Sequence, residues 1–148
     1  ERSSGAAPGT AFYRALAQRS GGQAGAARAI WRICLRDGQE AAHEEDEDAR
    51  TTTVWVRSPG SVELPDASGL ERGDLLVAHA LLLHGPSPQG RLERSLAAMR
   101  PEVAPALDRL AALGLVDRDD TELWRSRPEA LPSLNARLTA EAFAGADA

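Results

Sequence analysis

Lysine is missing from this chain: all 17 basic residues among its 148 are arginine. A GC-rich genome accounts for such usage more simply than guanidinium chemistry does. The absence has one firm consequence, because a Walker-type phosphate loop needs a lysine after its glycines and none can exist here. Cysteine is nearly as scarce. Cys34 stands alone, which excludes a disulfide framework and a cysteine-built zinc site. It falls beside Ile30 and Leu35 on an apolar helix face, so a buried structural thiol is expected. Aromatic residues make up only 4% of the chain, and the abundance of Ala and Leu favours helices over a strand-rich core. The longest apolar run, Leu75 to Leu83, is interrupted by His79 and is too short to cross a bilayer. No signal peptide is visible, and a cytoplasmic location is expected. Net positive charge is also lacking. The formal charge of −5 argues against a protein whose main task is to grip phosphate backbones.

The usual catalytic sets are wanting as well. His43, His79 and His84 fall in a linker, a core helix and a helix end, with no metal-binding pair at helical spacing. Gly21-Gly22 has no phosphate-loop context. A catalytic role for this stretch by itself is therefore not expected, nor a bound cofactor or metal.

What is present reads as helices with one small sheet. Thr10 suits the N-cap of a first helix through Arg19, with Phe12, Tyr13 and Leu16 as its apolar stripe. Ser20-Gly21-Gly22 ends it. A second helix, from about Gln23 to Arg36, carries Ala27, Ile30, Trp31, Cys34 and Leu35 on one face and Arg28, Arg32 and Arg36 on the other. Residues 37–50 include Glu40, Glu44, Glu45, Asp46, Glu47 and Asp48 and read as a solvated acidic linker. The run lacks the alternation and the turn glycine of a calcium loop, so His43 beside it is not taken for a ligand.

A winged-helix domain is expected over 51–143. It comprises a strand at Thr51–Arg57, a helix at 71–84, a shorter helix at 89–99, a helix at 102–113, a hairpin at 115–127 and a closing helix from Pro128 to Phe143. Residues 144–148 read as a fraying tail. The early strand is expected to pair with the wing as its third strand. The 71–84 helix is apolar nearly all round and belongs at the centre of the domain, with His79 at its core or boundary. Pro105 predicts that the next helix starts at Glu102 or later, or is irregular at its start. Gly114 should take the left-handed position after that helix, with Leu115 folded back onto the last turn. The ragged stretch from Glu1 to Gly9 suggests a piece of a longer chain.

Two segments together resemble the C-terminal end of a prokaryotic AAA+ family ATPase, in which a helical lid precedes a winged helix. The lid-like part, over residues 1–36, is Phe12-Tyr13-Arg14-Ala15-Leu16, then Ser20-Gly21-Gly22-Gln23 and Arg28-Ala29-Ile30-Trp31. The winged-helix part is Leu75 to His84, Val103 to Val116 and Arg127-Pro128-Glu129-Ala130-Leu131-Pro132. The resemblance implies a non-catalytic module that makes protein–protein contacts, with ATP and Mg²⁺ bound elsewhere in the parent chain. In such lids an arginine just after the glycine turn reaches the nucleotide phosphates. Ala24-Gly25-Ala26 occupies that turn here, and the nearest candidate is Arg28.

The alternative reading is a winged-helix DNA-binding regulator, whose phosphate contacts would be Arg91, Arg94, Arg100, Arg109 and Arg118. Charge disfavours it. Between Arg100 and Gly114 two arginines face Glu102 and Asp108, and the hairpin leans acidic.

Overall fold

The computed structural model of the chain describes residues 8–39 and 56–144. These are mainly helical, with one two-stranded antiparallel sheet, as the composition predicts. The chain divides into two compact units, Glu1–Glu63 and Leu64–Ala148. That boundary falls later than the expected domain start at 51, and Val56–Glu63 group with the helical pair. Residues 40–50 of the expected linker, 51–55 of the expected strand and 145–148 of the expected tail lie outside the described residues.

In the first unit, α1 (Pro8–Arg19) and α2 (Ala24–Gln39) are joined by the glycine turn. Gly21 and Gly22 adopt φ of 57° and 76°, left-handed torsions that glycine takes without strain. The Gly22 N–H donates to the Ala17 carbonyl at 3.1 Å and Gly21 N–H to Gln18 at 3.2 Å. These bonds satisfy carbonyls that the helix end leaves unpaired. Ala26, Ile30 and Cys34 are fully buried on α2, together with Val62 and Pro59 from a 3-10 turn at Pro59–Ser61. The buried thiol follows the sequence expectation. The Arg19 guanidinium reaches the Val62 carbonyl, and the Arg57 N–H donates to Cys34 at 3.2 Å. Val56 and Arg57, the described end of the expected strand, are irregular chain in this unit.

The second unit is built on α3 (Arg72–His84), α4 (Gln89–Ser95), α5 (Arg100–Ala112), strands β1 (Val116–Arg118) and β2 (Trp124–Ser126), and α6 (Leu131–Ala144). Its core joins Leu75, Val77 and Leu81 of α3 to Leu92 of α4, Val103, Leu107 and Leu110 of α5, and Leu115, Trp124 and Leu134. The two strands pair in the register Val116↔Ser126, Asp117↔Arg125 and Arg118↔Trp124. Among the described residues the third backbone segment that pairs with the hairpin is Ser87; residues 51–55 of the expected strand lie outside them. The Ser87 N–H donates to Trp124 at 2.9 Å and its carbonyl accepts from Trp124 at 3.0 Å.

Two local expectations change. α3 is not buried all round: it packs through Leu75, Val77, Ala78, Ala80 and Leu81, while Leu76 is 42% and Leu83 69% exposed. His79 is exposed on that outer stripe, not placed in the core. The reason is that α4, α5, α6 and β2 reach only one side of the helix. α5 also starts earlier than expected, at Arg100, and runs through Pro105. A 3-10 turn at Ala97–Met99 leads into it. The missing Pro105 N–H deprives only the carbonyl of Pro101, an exposed residue.

The end of α5 follows the local prediction closely. Gly114 adopts φ 68°, its N–H donates to Ala111 and the Leu115 N–H donates to Leu110, both at 2.9 Å. Leu110 and Leu115 are both fully buried, the hydrophobic contact that accompanies this C-cap.

Candidate interaction surface

The candidates Arg100 and Arg109 lie on α5, and Arg118 lies on the hairpin. The character of this surface depends on what these arginines are doing. Arg109 lies in the last turn of α5 and faces Asp74, the third residue of α3. Its Nε and Nη2 donate to Asp74 Oδ1 at 2.9 and 2.6 Å. Asp74 is buried, and its Oδ2 accepts the Glu71 N–H at 3.3 Å, closing the start of α3. One carboxylate thus caps one helix and anchors the guanidinium of another. The Asp74 hydrogen bonds hold the Arg109 guanidinium protonated even more firmly than an ordinary arginine. Beside the pair lies an open groove of about 290 Å³, lined by Leu70, Glu71, Ala112 and Leu113 among others.

The hairpin carries further pairs. Arg125 donates through Nε to Asp117 Oδ1 at 2.7 Å, and these residues are directly opposite in the strand register. Arg118 is ion-paired with Glu122 and its guanidinium lies 5.8 Å from the centre of the Trp124 ring. Arg127 holds the nearly buried Glu129 at 2.5 Å. The loop is tied by Asp119, whose Oδ1 accepts the Thr121 hydroxyl at 2.6 Å, the Thr121 N–H at 2.9 Å and the Leu123 N–H at 3.1 Å. The Thr121 hydroxyl first, then the Leu123 N–H, draw the Asp119 carboxyl below its ordinary value.

The sequence-derived candidates therefore separate. Arg100 approaches Glu93 at 3.7 Å, and Arg109 and Arg118 are paired as described. Arg91 and Arg94 stand exposed on α4 without an ion pair among the described residues. Arg28 is exposed on α2 in the first unit. Sequence reasoning missed Asp74 as a partner for Arg109, since nothing local links residues 35 apart. The Asp117–Arg125 pair had a signal, opposite charges at facing positions of a short hairpin. Among the described residues no group of three or more His, Cys, Asp or Glu is placed to hold a metal ion; His43 lies outside them. No helix among the described residues is long and apolar enough to cross a membrane.

No protein-family model, curated protein or solved structure matches the chain.

Proposed function

We propose that the chain is a non-catalytic winged-helix module with a lid-like helical pair, acting in protein–protein contact or regulation within a larger AAA+ type ATPase. The order α3, Ser87 bridge, α4, α5, β1, β2 supports the winged-helix reading, with the third strand reduced to one residue. β2 then lies between Ser87 and β1, as the central strand of a winged-helix sheet does. The helical pair ahead of it, closed by a two-glycine turn, supports the lid reading. ATP and Mg²⁺ would bind elsewhere in the parent chain, in a cytoplasmic bacterial setting, and Arg28 is the residue of this stretch nearest to a nucleotide-contacting role.

The observation that carries the preference for protein over DNA is the engagement of the arginines. Arg100, Arg109, Arg118, Arg125, Arg127 and Arg137 all lie in ion pairs with carboxylates of the same unit. A cation already paired releases few counterions when it meets a phosphate, so it adds little to DNA affinity. A DNA-binding regulator remains the competing proposal, resting on Arg91 and Arg94. The ATPase part is tested by reading the coding sequence upstream of Glu1. A phosphate-binding loop followed by a strand and helix core is expected there, and its absence would remove the ATPase reading.

A further inference from the structure

Three of the six aromatic residues of the chain meet on the α1–α2 pair. The Phe12 ring stands edge-on to Tyr13 and to Trp31, with centroids 5.7 and 5.1 Å away. Tyr13 and Trp31 are parallel within 4°, their centroids 6.3 Å apart. Tyr13 is 62% exposed, and Phe12 and Trp31 are half-buried. The core positions of α2 are Ala26, Ile30 and Cys34, so the triad lies beside that core.

The charge around these rings has one sign. From Pro8 to Leu35 the only charged residues are Arg14, Arg19, Arg28 and Arg32. Arg19 is turned to the Val62 carbonyl, whereas Arg14, Arg28 and Arg32 are exposed. Arg14 follows Tyr13 directly, and Arg28 lies one helical turn before Trp31, on the same side of α2. In a chain of net charge −5, this run of cations up to Leu35 is a segregation, and the first carboxylate, Asp37, comes only near the end of α2.

We propose that this face is a docking surface for an acidic protein segment: an amphipathic stretch whose apolar anchor packs on the rings while its carboxylates meet Arg14, Arg28 and Arg32. Trp, Tyr and Arg are the residues that most often carry binding energy at protein interfaces, and Asp and Glu are depleted there. The rings already hold one another in place, so docking freezes little side-chain freedom. Exposed guanidiniums favour carboxylates, which they grip through two parallel hydrogen bonds. A single-stranded nucleic acid fits less well, because it needs open ring faces for successive bases. The three rings are instead engaged with one another, Tyr13 parallel to Trp31 and Phe12 edge-on to both. The inference rests on the protein-contact reading and names its surface, but it is independent of the parent chain being an ATPase.

The full chain is titrated by fluorescence anisotropy with two labelled amphipathic peptides of about 18 residues, a helix long enough to span the face. They share one Leu/Trp stripe and differ only in carrying Glu or Lys at the polar positions; labelled oligo(dT) is the third probe. The Glu peptide is expected to bind and the Lys peptide not. Binding should weaken about tenfold or more between low and roughly 0.5 M salt, where Coulomb attraction is screened within a few ångströms. Tyr13→Ala and Arg28→Glu should each weaken it about tenfold, as loss of an interface anchor does. The control Arg72→Glu on α3 should leave it unchanged, with circular dichroism confirming that each variant is folded. Failure of the Glu peptide to bind, equal binding of both peptides, insensitivity to Tyr13→Ala and Arg28→Glu, or preferential binding of oligo(dT) would each overturn the proposal. A missing phosphate loop upstream of Glu1 would end the ATPase reading and leave this result standing.

Discussion

At Gly114 the backbone holds φ 68° so that the chain can leave α5 and enter β1 across three residues. A Cβ there would meet Arg127 Nη1 at 3.4 Å and Pro65 Cγ at 3.8 Å, which are ordinary contacts. The cost of a side chain is therefore torsional rather than steric. Gly114→Ala is expected to destabilise the fold by about 1 kcal/mol, the penalty for a non-glycine residue in the left-handed region, read as a lower urea midpoint with an unchanged slope. Glu122 presents the reverse case, a non-glycine residue at φ 64° in the hairpin loop. Glu122→Gly removes that strain and gives up only an exposed ion pair with Arg118, so a gain of roughly 0.5 kcal/mol is expected. Asp119 makes the hairpin acid-sensitive. Its folded carboxyl titrates below the ordinary 3.8 because the Thr121 hydroxyl and Leu123 N–H favour the charged form. Its contribution is present above the unfolded value and is lost as pH falls through the lower folded one. Acid unfolding monitored across that window should be steeper in the native chain than in Asp119→Asn.

At the scale of elements, the exit from α5 was legible because its determinants are local. Leu110, Gly114 and Leu115 lie within six positions, and glycine chemistry plus burial decides their arrangement. The third partner of the hairpin was not legible. Pairing is decided by where the chain can reach, and Ser87, in the turn between α3 and α4, arrives beside Trp124. A single bridging residue leaves no alternation to detect. Composition also misplaced one side of α3: Leu76 and Leu83 look like core residues, yet the neighbours of that helix cover only the side with Leu75, Val77 and Leu81. Leu110→Ala on α5 should accordingly cost about 2–5 kcal/mol, since it empties a fully enclosed site. Leu83→Ala should cost well under 1 kcal/mol, as an exposed substitution does. Thermal or denaturant unfolding of the two variants side by side checks the assignment.

Over the whole molecule, charge is sorted rather than mixed. The described helical pair carries only arginine up to Leu35, while the arginines of the second unit are largely matched to its own carboxylates. The long-range choice behind that matching, Asp74 for Arg109, was beyond sequence reasoning. The local charges of α5 could be counted, but the Asp74 that engages Arg109 comes from another helix. On the proposed function, the helix-and-hairpin unit meets protein rather than DNA. Titration of labelled duplex DNA with the chain at physiological salt, followed by fluorescence anisotropy, is the measurement that decides it. No binding tighter than about 100 µM is expected, the weak end of non-specific association at that salt. Micromolar, steeply salt-dependent binding that is lost in Arg91→Ala/Arg94→Ala, or in Arg100→Ala/Arg109→Ala, would contradict it.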